Sequence, residues 1–279
     1  IDSAGNLLVV DATNNRIREI TPAGVVSNVI INTAYDMARN PAIEGNALSI
    51  GGGNFCSAVR MPNGDVYFVD QWNPGSWDTR LRVARFSQSP LGPTALVANL
   101  PTGASLTQGM LALPDGSGII LAGPNSLYKY TIATNTVTPF VGTVAVNGYA
   151  DGTGTNATFT SIQGIYYDTN GDILVNQNSG SIRRVTMQGV VTTIFPAEND
   201  DAKITGNPGQ AIPLPGGLFM RINDSNTVMV SSGFDWATVG STIGATGNVV
   251  GLNQDARFWF LDTIVRGPDG RIFLDSTYY

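Results

Sequence analysis

Histidine is absent from all 279 residues, and the chain has only one cysteine, Cys56, and two lysines, Lys129 and Lys203. Without histidine there is no imidazole to serve as general base, transition-metal ligand or switch near neutral pH. A single cysteine excludes an internal disulfide and any zinc site built on several thiolates; with no imidazole beside it, Cys56 reads as a small buried apolar residue. Charged residues make up 13% of the chain, about half the usual share. The net charge is −6, the pI is near 4.5, and 13 of the 15 basic residues are arginines scattered along the sequence. That distribution offers no basic face for a phosphate backbone, so nucleic-acid binding is not expected. No apolar run approaches the roughly 18 residues of a membrane span, and membrane insertion is not expected either.

What is abundant is glycine, 33 residues, together with asparagine, threonine and serine, a balance that suits short strands joined by many turns. One pattern recurs. A four-residue turn precedes a short apolar run at Asp2-Ser3-Ala4-Gly5, Met61-Pro62-Asn63-Gly64, Leu113-Pro114-Asp115-Gly116, Asp168-Thr169-Asn170-Gly171 and Gly267-Pro268-Asp269-Gly270. Asn-Gly and Asp-Gly accept the positive φ of tight hairpins, and proline presets the turn ahead of them. Successive glycines of the first four turns are 52 to 59 residues apart, and the last interval is 99 residues, with a degenerate copy, Arg221–Ser231, inside it. Six copies of about this length are slightly longer than the roughly 40–50 residues of a four-stranded propeller blade.

Strands are expected in copy one at Asn6–Asp11, Arg16–Thr21 and Val25–Ile30. In copy four they are expected at Gly164–Asp168, Asp172–Asn176, Ser181–Thr186 and Val190–Phe195. Apolar residues fill both faces of runs such as Leu7-Leu8-Val9-Val10, as they should where each sheet is covered by neighbours on both sides. The fold class expected is all-β: a six-bladed β-propeller of four-stranded antiparallel blades, forming one domain over 1–279. Its first blade lacks an inner strand and its last has two strands, which reads as part of a longer polypeptide or as a ring closed with fewer blades. Residues 32–53 and 197–217 break the pattern as long Gly/Pro/Asn-rich insertions, the kind of segment that more often carries function than spacing.

Residues 2–26 resemble the NHL repeat: Asp2-x-x-Gly5-Asn6-Leu7, then Asn14-x-Arg16-Ile17-Arg18-x-Ile20-Thr21-Pro22-x-Gly24-x-Val26. Gly148-Tyr149-Ala150-Asp151-Gly152, followed by Ala157, Phe159 and Gly164-Ile165, is similar to the inter-blade connection and inner strand of bacterial NHL proteins, and Asp255-Ala256-Arg257-Phe258 repeats it. The resemblance implies a six-bladed propeller from a family that includes protein- and RNA-binding modules, some enzymes and many extracellular bacterial proteins. Its lyases depend on histidine, which this chain lacks. Related lactonases hold calcium with oxygen ligands, which leaves a calcium-dependent lactonase- or lyase-like enzyme as the alternative.

Catalytic motifs are missing: there is no Gly-x-Ser-x-Gly elbow, and Gly51-Gly52-Gly53 lacks the lysine of a phosphate loop. The run Asp151–Asn156 reads as a blade connection in preference to a calcium loop, because it lacks a bidentate glutamate. No metal ligands and no cofactor are assigned. The candidate site is aromatic: Trp72, Trp77 and Asp78 in one loop, with Asp235 and Trp236 in the equivalent loop of copy five. Tryptophan beside Asn and Asp can stack on a sugar or anchor a protein interface. The expectation is a non-enzymatic binding or structural module with a protein or surface-glycan partner, placed on a bacterial surface, a secreted appendage or a phage particle.

Overall fold

The computed structural model describes residues 2, 4–11, 14, 16–34, 49–51, 54–72, 78–84, 95–99, 109–168, 170–178, 181–195, 211–222, 228–232, 235–240, 261–266 and 272–276. They are all-β apart from two three-residue 3₁₀ turns, Gly154–Asn156 and Pro215–Gly217. The chain divides into two compact units, residues 1–146 with 154–158, and residues 147–153 with 159–279.

The first unit holds three sheets. Sheet one is β1 (Leu7–Asp11), β2 (Arg16–Ile20), β3 (Val26–Ala34) and β4 (Ser49–Gly51). Sheet two is β5 (Asn54–Arg60), β6 (Val66–Trp72), β7 (Asp78–Ala84) and β8 (Ala95–Asn99), and sheet three is β9 (Gly109–Ala112), β10 (Gly118–Ala122), β11 (Ser126–Thr131) and β12 (Thr136–Gly142). All neighbours are antiparallel except β4, which runs parallel to β3. The ends of the 32–53 insertion are thus part of a sheet, where a free loop was expected. Residues 35–48 and 52–53 lie outside the described residues.

Period-two alternation explains how sheet two is held. Val66 and Phe68 of β6 pack with Ile17, Val29 and Ile30 of sheet one, whereas Tyr67 and Val69 join Met110, Ile119, Leu121, Tyr128 and Tyr130 of sheet three. Both faces of β6 are buried, as its unbroken apolar run requires. The Tyr67 and Tyr130 rings meet with centroids 5.9 Å apart and tilted by 48°. Each fully buried ring or branched aliphatic here stabilises the fold by about 1.5–3 kcal/mol.

The second unit contains sheet four, with β13 (Gly152–Thr153), β14 (Ile162–Tyr167), β15 (Ile173–Gln177), β16 (Ile182–Val185) and β17 (Val190–Phe195) in the order β13-β17-β16-β15-β14. Sheet five is β18 (Ala211–Pro213), β19 (Phe219–Ile222), β20 (Val228–Ser232) and β21 (Asp235–Gly240), and β22 (Leu261–Arg266) pairs with β23 (Ile272–Ser276). Strand β18, from the 197–217 insertion, adds to the inner edge of β19. Its Ile212 is buried among Tyr166, Met220 and Ile272, so this end of the insertion also has a structural job. Residues 197–210 lie outside the described residues.

The repeat is legible at atomic level in the turns. Gly5, Gly64, Gly116 and Gly171 have φ between 71° and 91°. Each donates its N–H to the carbonyl three residues earlier, at 2.8–3.3 Å. This is a turn closed by a left-handed glycine, and only glycine enters that region without steric cost. In copies one and four the leading carboxylate completes the turn: Asp2 Oδ1 accepts from the Ala4 and Asn6 amides at 2.9 Å, and Asp168 Oδ1 from Asn170 and Asp172 at 2.7 and 3.0 Å. Copies two and three begin with Met61 and Leu113, and there the third turn residue does the work. Asn63 Oδ1 accepts from the Asp65 amide at 3.0 Å and Asp115 Oδ1 from Ser117 at 2.9 Å.

A bulge also recurs in the pairings β2–β3, β7–β8, β11–β12 and β16–β17, after Ile17, Leu81, Leu127 and Ile182. Among the described residues no helix is long and apolar enough to cross a membrane.

Candidate functional site

In sheets two and five, antiparallel order brings the start of one strand beside the hairpin that joins the next two, β6–β7 and β20–β21. In sheet two Asn54 pairs with Gln71, and the β6–β7 ladder closes on Trp72 opposite Asp78. In sheet five Ser232 pairs with Asp235 and Ser231 with Trp236. The two candidate clusters therefore occupy equivalent hairpins, one in each unit.

Their local structure differs from the expected loops. Trp72 is the last residue of β6, Asp78 the first of β7, and Asp235 and Trp236 open β21. The β6–β7 ladder runs seven pairs where β1–β2 runs five. Aromatic residues favour strands, and the ladder extends through the position where copy one turns. Trp77 lies in 73–77, outside the described residues.

The corresponding hairpins of copies one and four are polar. Asp11 Oδ1 accepts from the Asn14 side-chain amide at 2.8 Å, and its Oδ2 lies 2.8 Å from Arg18 Nε. Burial alone would raise the Asp11 carboxyl, but the bonds from Asn14 and the charge of Arg18 outweigh it and hold the pKa below the ordinary value. In copy four, Gln177 Nε2 donates to Ser181 Oγ at 3.0 Å, and Asn176, Gln177 and Ser181 are all buried. Sequence reasoning passed over these three. The available signal was Asn176-Gln177 closing the buried run Ile173-Leu174-Val175, a polar pair at an apolar position.

The connection before sheet four is clasped to it. Arg183, fully buried on β16, places Nη2 at 2.6 Å from Asp151 Oδ1 and 2.9 Å from the Ala150 carbonyl, with its guanidinium 5.3 Å from the Phe159 ring centroid. Asp151 Oδ2 accepts from the Thr193 amide at 3.1 Å, and Oδ1 from the Thr193 hydroxyl at 2.9 Å. Desolvation pushes the Asp151 carboxyl up, yet the Thr193 bonds and the Arg183 guanidinium bring it below the usual range. Both oxygens accept bonds from sheet four, which ties the connection to the blade. Among the described residues no three carboxylate or thiol side chains come together as a metal site. Cys56 is the residue that the β5–β6 ladder skips, between Phe55 and Ser57.

No family model matches the chain, and no curated protein matches it. Solved structures do. A catalytically inactive histidine-to-alanine variant of virginiamycin B lyase from Staphylococcus aureus, with quinupristin, is similar at 14% identity and a TM-score of 0.58, covering 99% of this chain and 75% of that one. A putative gluconolactonase is similar at 13% identity and a TM-score of 0.55, covering 98% and 82%. An auxiliary nutrient binding protein from Bacteroides thetaiotaomicron is similar at 16% identity and a TM-score of 0.53 over 78% of this chain, which spans 54% of that protein's length. These neighbours are β-propellers, and with the antiparallel sheets described above they show that this chain has an all-β propeller fold.

Proposed function

We propose that the chain is a non-enzymatic propeller module that binds a protein or surface-glycan partner through the hairpins bearing Trp72, Asp78, Asp235 and Trp236. Its setting in this reading is a bacterial cell surface, a secreted appendage or a phage particle, in keeping with its low charge and Gly/Asn/Thr-rich composition, and its repeats are of the NHL type. The observation that carries the proposal is the complete lack of histidine. The similar lyase is described as catalytically inactive once a histidine becomes alanine, and here no position supplies one. The described ion pairs commit carboxylates such as Asp11 and Asp151 to structural partners. A propeller of the same fold is described as nutrient binding, so this scaffold is compatible with binding as its role.

The competing reading is a calcium-dependent lactonase- or lyase-like enzyme, favoured by the gluconolactonase and lyase neighbours. Incubating the purified chain with gluconolactone and with quinupristin, each with and without calcium, separates the two. Turnover equal to the buffer blank is expected; calcium-dependent turnover removed by a chelator would establish the enzyme instead.

A further inference from the structure

The sequence contains three Asn-Gly dipeptides, Asn63-Gly64, Asn147-Gly148 and Asn170-Gly171, and all three asparagines are exposed. Such a pair is open to an intramolecular reaction, because glycine has no Cβ to keep its amide nitrogen away from the preceding side-chain carbonyl carbon. Hydrogen bonding separates the three. Gly64 donates its N–H to the Met61 carbonyl at 2.9 Å. Both ends of the Asn63 amide are held by Asp65, whose backbone N–H donates to Oδ1 and whose Oδ2 accepts from Nδ2, each at 3.0 Å. Gly148 donates to Thr160 Oγ1 at 2.9 Å and to the Phe159 carbonyl at 3.3 Å. Among the described residues Gly171 has one acceptor, the Asp168 carbonyl at 3.3 Å, beyond the roughly 2.7–3.2 Å of an ordinary N–H···O bond. The Asn170 side chain makes no hydrogen bond among the described residues; its backbone N–H is what Asp168 Oδ1 holds, at 2.7 Å. Asn63-Gly64-Asp65 and Asn170-Gly171-Asp172 read alike, so the difference between them lies in the fold.

We propose that Asn170 is a modification site, deamidating spontaneously through a cyclic imide with water as the second reactant. The Gly171 nitrogen gives its proton to solvent base and attacks Asn170 Cγ. The N–Cγ bond forms, the Cγ–Nδ2 bond breaks, and Nδ2 takes up a proton and leaves as ammonia. Water then opens the ring at Cγ to give aspartate, or at the Asn170 backbone carbonyl carbon to give isoaspartate; nothing is oxidised or reduced. At Asn63 and Asn147 a short bond to the glycine N–H must break before the attack, which adds to the barrier. At Asn170 the electrophile is free to turn and the nucleophile is weakly held. Either product puts a carboxylate into a turn that already carries Asp168 and Asp172. Isoaspartate also routes the main chain through Cβ, between the two amides that Asp168 Oδ1 grips at 2.7 and 3.0 Å. The reaction needs no partner and stands whichever role the module has.

The test incubates the full chain at mildly alkaline pH, folded and in urea, and follows conversion of amide to acid at each asparagine by mass spectrometry of its peptides. In the folded chain Asn170 should convert about tenfold or more faster than Asn63 and Asn147, the rate equivalent of one hydrogen bond in the barrier. In urea the three rates should converge. Asn170→Gln, whose longer side chain would have to close a larger ring, should abolish conversion in that peptide at unchanged melting. Equal rates at the three sites in the folded chain, or a faster Asn63 or Asn147, would overturn the proposal. So would a lead for Asn170 that persists undiminished in urea, since the turn would then not be its cause.

Discussion

Asp151 and Arg183 are joined across 32 residues by a 2.6 Å ion pair in which the arginine is fully buried and the carboxylate side chain half-exposed. The pair fastens the incoming connection to the third strand of sheet four. Asp151→Ala removes the ion-pair partner of a buried guanidinium, which keeps the Ala150 carbonyl and the Phe159 ring. A loss of about 2–3 kcal/mol is expected, below the figure for fully buried pairs because Asp151 keeps contact with water. Urea denaturation measures it.

The same carboxylate gives a pH dependence. Asp151 and Asp11 have folded pKa values below their ordinary ones, so on acidification the unfolded state takes up their protons first. Their contribution is complete above the unfolded carboxylate value and is lost as pH falls through the folded one. Stability should therefore decline from about pH 5 downward, and Asp151→Asn should flatten that decline. Urea midpoints across the acid range report the slope.

Gly118 lies where β10 crosses β11, and a Cβ there would run into the Tyr130 backbone carbonyl oxygen. Gly118→Ala should cost about 1–3 kcal/mol, because backbone cannot step aside as a side-chain tip can. Gly64→Ala meets no atom within 4 Å but must hold φ at +91°, for a penalty of about 1–2 kcal/mol. Thermal melting of the two variants should rank them with Gly118→Ala equal or worse.

Tyr166 carries a buried hydroxyl with no hydrogen-bond partner among the described residues, and burial drives its pKa upward. Tyr166→Phe removes the orphan while keeping the ring against Ile212. Melting should be unchanged or higher, by up to about 1 kcal/mol.

Much of the scaffold was legible in the sequence because its turns obey local chemistry. The glycines after Asp2, Met61, Leu113 and Asp168 each adopt the positive φ that their pattern implied, and Val190–Phe195 coincides with its expected strand. Gly118 was hidden because Ser117-Gly118 follows Gly116 and reads as the tail of the turn; its need for space comes from Tyr130, 12 residues away. Strands β4 and β18 were missed for a similar reason. They are three residues long, sit in Gly/Pro-rich surroundings, and form only through pairing with β3 and β19. The tryptophan hairpins were correctly matched to one another but read as loops, since the extra rungs of the β6–β7 ladder depend on the partner strand. The skip of Gln163 in the β14–β15 ladder is a register relationship, which no single segment encodes.

The central claim is that the chain binds a partner through the hairpin ends of its sheets. It is tested most directly by measuring capture of the wild-type chain, Trp72→Ala and Trp236→Ala on an oligosaccharide array and on immobilised surface proteins. The account predicts capture of the wild type and a loss of about tenfold or more in the tryptophan variants at unchanged melting temperature, the size expected for removing an aromatic anchor. Capture that is equal in all three proteins would contradict it.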